Sequence, residues 1–275
     1  IEPGSRDPVA DVDFVDEELG RWLTGLVDDN WESVERKSRS PEFDLEESLT
    51  AMLTGVGATE PDVTAVLRDL EYPQDPKQWT GADRERLARA IRSRTKPMVV
   101  VANKADAAPE ATLDRLRAGT DKPVVPATAD GELALRRAVE AGVVEYDPGD
   151  DDFDVVGDVS DAQRAGLDAI REVMAQLGGT GVQTALNTAV YDRLDRITVY
   201  PVQDASQWTD GSGTMLPDAF LVPTGSTPRD LAYAVHTDIG DGYLHAVDAR
   251  SSRRIGEDHE LSEGDVVKIV STAGP

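Results

Sequence analysis

The 275-residue chain has no cysteine, which excludes disulfides and thiolate metal sites and fits a reducing cytosol. No apolar run approaches the roughly 18 residues that a membrane span needs, so a cytoplasmic protein without a membrane partner is expected. No Gly-Lys pair occurs anywhere, so the phosphate-cradling G-x-x-x-x-G-K-[ST] loop is missing. Lysine is scarce, confined to positions 37, 77, 96, 104, 122 and 268. The first residues, Ile1-Glu-Pro-Gly-Ser-Arg-Asp7, offer no initiating Met, basic segment or apolar segment, hence no signal peptide. They read as the middle of a longer polypeptide whose phosphate-binding half lies upstream.

Acid, by contrast, is abundant. Asp and Glu number 53 against 28 Lys and Arg, a net charge of −25, scattered over every segment rather than gathered in a tail. Such self-repulsion destabilises the compact state in dilute buffer and is screened in molar salt, where the Debye length shrinks to about 3 Å. An acidic, lysine-poor surface is the expected composition of a halophilic protein. It reports habitat rather than substrate.

Three regions follow from pattern. Residues 1–95 read as helical. Val15, Leu19, Trp22 and Leu26 form one apolar stripe, expected to face the core, on a helix ending near Trp31. Leu45, Leu49, Met52 and Leu53 mark a second helix, and Thr59–Asp62 and Thr80–Asp83 open two more with capping-box chemistry. Residues 96–195 change period: strand Met98–Ala102, a helix over about 109–117, strand Val124–Ala127, then a helix over about 131–141, an α/β unit with a parallel sheet. Tyr146–Asp152 reads as a loop, Ser160–Gln163 as a helix cap, and Gly178-Gly-Thr-Gly181 as a helix breaker rather than a nucleotide loop. Residues 196–275, with strands at 197–202, 219–223, 243–249 and 266–271 around a helix opened by Thr227-Pro-Arg-Asp230, suggest a small β-grasp domain.

The chemistry concentrates where two strands end. Asn103-Lys-Ala-Asp106 leaves the first, and Thr128-Ala-Asp130 leaves the second. In an open α/β sheet ligands bind outside the carboxyl ends of the strands. Guanine presents N1–H and the 2-amine on one edge, and Asp106 is the group to accept both, a charge-assisted bidentate pair. Adenine has no N1 proton and leaves that carboxylate facing an acceptor. Asn103 is expected to tie the two loops together, the Lys104 stem to lie along the base, and a backbone N–H near Thr128 and Ala129 to donate to O6.

On these residues the chain resembles the archaeal branch of the Obg-like (YchF-type) GTPases of the translation-factor class. The stretches that carry the resemblance are Lys96–Asp106, Val124–Asp130, Glu132–Ala141, Thr180-Gly-Val-Gln183, Val199-Tyr-Pro-Val202 and Leu221–Ile269, the last very similar to a TGS domain. The resemblance implies a helical insertion (1–95), the C-terminal half of a P-loop GTPase domain (96–195) and a C-terminal β-grasp TGS domain (196–275). It implies GTP as the nucleotide, with Mg2+ held by the upstream part, and a partner in the ribosome or RNA. YchF proteins that prefer ATP carry N-x-x-E, so Asp106 returns the reading to GTP. The family's P-loop and switch segments find no counterpart, so this chain alone is expected to bind nucleotide weakly, to contain no catalytic residue and to hydrolyse nothing. The alternative is a nucleotide-independent ribosome- or RNA-binding module. A TGS-bearing aminoacyl-tRNA or alarmone synthetase is disfavoured, since neither has reason to carry Asn103–Asp106. A monomer with no DNA partner is expected.

Other residues invite chemistry and read better as structure. His236, His245 and His259 show no metal-ligand spacing, and His236 is expected to meet the last carbonyls of its helix. Ser226 and Thr227 read as a helix cap rather than a nucleophile. Arg250, Arg253 and Arg254 form a local basic cluster on a hairpin, either an RNA-phosphate contact or a solvated turn.

Overall fold

The computed structural model describes residues 7–273, which fall into two compact units that divide between Leu186 and Asn187. In the first, helix α1 (Pro8–Lys37) is opened by Asp7, whose carboxylate accepts the Ala10 N–H, with proline at its first position and Arg36 and Lys37 at its last turn. Helices α2 (Leu45–Leu53), α3 (Glu60–Asp69) and α4 (Gly81–Thr95) complete a helical core. The Asp62 carboxylate accepts the Thr59 N–H and hydroxyl, and Asp83 does the same for Thr80, so each box satisfies an otherwise orphaned donor. Leu23, Val27, Trp31, Leu49, Leu53, Val63, Leu87 and Ile91 are buried together. A fully buried leucine contributes about 2 kcal/mol, so these side chains dominate the stability of the region.

The expected core stripe of α1 is corrected. Val15 and Trp22 are 45% and 51% exposed, whereas Val12, Leu23, Val27, Trp31 and Val34 face inward. Both stripes repeat with helical period, so period alone does not choose between them. Packing chooses. Gly20 lies against the Arg89 side chain of α4, and Asp16 on the same side pairs with Arg92 (2.8 Å) and Lys122 (3.1 Å).

Strand β1 (Val100–Asn103) starts two residues later than expected and pairs in parallel with β2 (Val124–Ala127), Asn103 lying beside Ala127. Helix α5 (Glu110–Ala118) connects them, and α6 (Ala129–Glu140) follows β2. The segment read as a loop at 146–152 is the turn of a hairpin, β3 (Val144–Glu145) with β4 (Asp154–Val155). Helix α7 (Asp161–Leu177) is capped by Ser160 and Gln163 and stopped by Gly178 in the left-handed region, φ 75°, where glycine carries no Cβ penalty. Helix α8 (Val182–Asn187) runs into a π-helical turn, Thr188–Arg193, that the sequence pattern did not announce.

The second unit is a five-stranded sheet of order β6-β5-β9-β7-β8: β5 (Arg196–Val202), β6 (Phe220–Pro223), β7 (Tyr243–Asp248), β8 (Arg253–Ile255) and β9 (Asp265–Ser271). β5 and β9 run parallel and the other pairs antiparallel, the plan of a β-grasp fold. Helix α9 (Pro228–Val235) covers one face through Leu231 onto Ile197, Val199, Val222, Ala246 and Val267. Thr227 caps α9 with Asp230 as read. His236 is structural by another route than expected. Its ring Nδ1 accepts the Asp238 N–H and caps a following helix, α10 (Thr237–Asp241). Among the described residues no helix is long and apolar enough to cross a membrane.

Candidate functional site

The register of β1 and β2 brings their last residues side by side, so the two loops leave the same end of the sheet. Asn103 is the bridge. Its Oδ1 accepts the Lys104 N–H at 2.9 Å and, across the loops, the Ala129 N–H at 3.1 Å. Two donors around one oxygen set the amide orientation and leave Nδ2 as the group that can donate outward. Lys104 sits in the left-handed region, φ 61°, ψ 37°, a conformation that costs a non-glycine residue about 1–2 kcal/mol. That single residue turns the chain from the strand into the short 3-10 turn Ala105–Ala107, whose Asp106 is exposed. Ala105 beneath it is buried and holds the turn to the sheet.

Thr128 is buried and caps α6, its Oγ1 accepting the Gly131 N–H, while its own N–H donates to the Thr180 carbonyl at 2.9 Å. The expectation for Ala129 needs correction. Its N–H is engaged by Asn103, so the donor left for a base oxygen is the next first-turn amide, Asp130, which has no acceptor among the described residues. A first-turn amide at the positive end of a helix suits an anionic or carbonyl oxygen.

One residue of this site escaped sequence reasoning. Glu132 is buried on α6, and its carboxylate accepts from the Thr180 hydroxyl (2.6 Å), the Tyr146 hydroxyl (2.8 Å) and Arg136 Nε (2.7 Å). Burial alone would raise its carboxyl, but the three hydrogen bonds, from Thr180 first, outweigh that and hold it below the usual carboxylate range. Tyr146 is pushed up by the same burial and by the neighbouring carboxylate. Gly181, φ 79°, lies so close beneath β2 that a Cβ there would stand 2.0 Å from the Pro126 carbonyl oxygen. The glycine cluster is therefore both a helix stop and a close-packing point. A signal for Glu132 existed: it lies one turn before the fully buried Leu135, which puts a carboxylate on the core face of α6.

The arginines separate. Arg250 donates to the Gly264 carbonyl (2.8 Å) and stacks over Trp208, 5.2 Å from the ring centre. Arg253 and Arg254 are consecutive on β8 and so point to opposite faces. Arg254 shares its face with Lys268, both flanking Val247. A groove of about 770 Å³ along the β3–β4 hairpin is walled by Glu145, Asp147 and Asp150–Asp152, charges that repel a phosphate.

Two family models match stretches of the chain. Residues 101–204 match the model of the Obg-like GTPase YGR210-like, G4 motif-containing domain, and residues 212–271 match the TGS domain. The chain is 40% identical over 271 residues to the GTP-binding protein MJ1332 of Methanocaldococcus jannaschii, covering 97% of this chain and 68% of that protein. The crystal structure of a GTP-binding protein from Pyrococcus horikoshii OT3 is similar with a TM-score of 0.79 at 39% identity, over 97% of this chain and 72% of that one. The Schizosaccharomyces pombe YchF GTPase is similar in fold, with a TM-score of 0.50 at 13% identity, over 97% of this chain and 67% of that one. The chain thus spans about two thirds to seven tenths of the length of these relatives.

Proposed function

Because this chain belongs to the Obg-like, YchF-type family of GTP-binding proteins with a TGS domain, we propose that its own share of the work is to read the guanine of GTP. Asp106 accepts guanine N1–H and the 2-amine, and the Lys104 stem covers the base. Asn103 Nδ2 donates to the ring, and the first-turn amide of Asp130, next to Thr128 and Ala129, serves O6. The observation that carries this is the Asn103 bridge, which holds the loop bearing Asp106 and the start of α6 in one frame. The chain has no P-loop to hold phosphate or Mg2+, so its own affinity for GTP is about millimolar, or roughly −4 kcal/mol. We assign 1–95 to the helical insertion, 96–195 to the later half of the G domain and 196–275 to the TGS domain. We read the acidic surface as suited to molar salt in the cytoplasm.

Competition among GTP, ATP and XTP tests the base reading. Asp106→Asn is expected to weaken GTP and admit XTP, because an amide donates to the xanthine O2 where the carboxylate accepted from the guanine 2-amine. An unchanged GTP preference in the variant removes Asp106 as the base reader.

The TGS unit we read as the contact with RNA or the ribosome. What supports it is the pairing of Arg254 and Lys268 on one sheet face of an otherwise acidic chain. At molar KCl, where counterion release gains little, replacing both by Ala should still weaken ribosome association. Undiminished association sinks this contact.

A further inference from the structure

Glu132 has no part in base reading as argued above, yet it is the most heavily bonded carboxylate near the two loops. Its Oε2 takes two hydroxyl donors, Thr180 and Tyr146, and Oε1 takes Arg136. Thr180 lies 48 residues along the chain from Glu132, so this bond closes a long loop onto α6. The Thr180 carbonyl in turn accepts the Thr128 N–H. Thr128 caps α6, and the next amide, Ala129, meets Asn103 Oδ1. The path from Glu132 to the Asn103–Asp106 loop therefore runs through hydrogen bonds of 2.6, 2.9 and 3.1 Å, with no gap. Gly181 permits it, since a side chain there would meet the Pro126 carbonyl and push the Thr180 segment away from β2.

We infer that Glu132 is a positioning residue for guanine selection: through Thr180 it fixes Thr128 and Ala129, and through Ala129 it fixes Asn103 and the placement of Asp106. The inference rests on the guanine reading above. A bidentate carboxylate discriminates between bases only while its two oxygens stay aligned with two donors, so loss of the anchor should cost selectivity more than folding. Removing the carboxylate also leaves two buried hydroxyls without their acceptor, which favours a shift of the Thr180 segment over a silent replacement.

The test uses the full 275-residue chain, titrated with GTP and with ATP and followed by NMR at the Thr128 and Ala129 amides. Glu132→Met, close in length and without acceptors, is expected to reduce the GTP-over-ATP preference about tenfold, the value of one buried charge-assisted bond. It should also move the Ala129 amide signal. Thr180→Val should do the same and serves if the first variant folds poorly. Glu132→Gln is the rescue. Its Oε1 can still accept from Thr180 and Tyr146 while the half-exposed Arg136 swings aside, so the preference should stay within about threefold of the parent. Leu135→Ala, in the same helix and outside the path, should lower the melting temperature and leave the preference intact. Parental preference in both Glu132→Met and Thr180→Val overturns the positioning role. Loss of preference in Leu135→Ala equal to that in Glu132→Met reduces the effect to stability and overturns it too. A parent chain that does not favour GTP over ATP overturns the guanine reading itself, and with it a selective role for Glu132.

Discussion

The β1–β2 pair and the five-stranded sheet of the C-terminal unit solve the same problem, keeping strands in register, by different means. In the five-stranded sheet the parallel centre β5–β9 is flanked on both sides, and α9 lays Leu231 and Ala232 fully buried onto one face. Among the described residues the β1–β2 pair has a single ladder. Val12 of α1 and Leu113 and Leu116 of α5 join its small core, and its loops are held mostly by hydrogen bonds: Asn103 to Ala129, Thr128 to Thr180, Thr180 to Glu132. Apolar burial is insensitive to a few tenths of an ångström, whereas hydrogen bonds are directional and weaken steeply when misaligned. On the proposed guanine reading, a loop that aims a carboxylate is better held by the second kind of force, and a stable support by the first.

The largest effect that would sharpen this contrast is Leu231→Ala, expected to cost the C-terminal unit about 3–4 kcal/mol by cavity formation. Calorimetry should show that unit melting earlier while amide signals of Asn103 and Ala129 persist. Concerted loss of both sets breaks the comparison, because the two sheets would then share one stability. Next comes Gly181→Ala. It combines a positive φ with a Cβ placed against the Pro126 carbonyl and is expected to cost about 2–3 kcal/mol. Faster hydrogen exchange at the Thr128 amide, beyond the general loss of stability, is the measurement. Unaltered exchange there means the Thr180 segment does not hold the loop.

The smallest effect belongs to the helical core and is a matter of pH. Asp83 is lowered to about 2, chiefly by the Thr80 hydroxyl and backbone N–H and also by Arg86. Its folded value lies below the ordinary one near 3.9, so the contribution is present in full above about pH 4 and is lost as pH falls toward 2. Thr80→Ala should therefore lower stability more at pH 7 than near pH 2. Urea unfolding at both pH values checks it. An equal loss at both removes the ionised cap as the cause.

Much of this was legible in the chain because the deciding interactions are short in sequence. Thr59 with Asp62, Thr80 with Asp83, Ser160 with Gln163 and Thr227 with Asp230 each lie three residues apart, so a helix start can be read without any knowledge of the fold. The loops at 103–106 and 128–130 were legible for the same reason, as polar residues at the ends of apolar strands. Three matters were not. The buried side of α1 depended on which stripe α4 covers, and two stripes offered the same period. Arg250, Arg253 and Arg254 are adjacent in sequence but separated by strand alternation and by the bond from Arg250 to Gly264. His236 capped the helix after it rather than the one before it.

Residues within a few positions of one another suffice to place the capping boxes, to mark the polar loops at 103–106 and 128–130, and to show that no G-x-x-x-x-G-K-[ST] stretch occurs. Folding alone buries Glu132 against Thr180 and Tyr146, engages the Ala129 amide with Asn103, and chooses the face of α1 that meets solvent. Those outcomes join residues 26 and 48 apart, or rest on competition between neighbouring faces. The free energy of such contacts exists only once burial has removed water from the groups that make them.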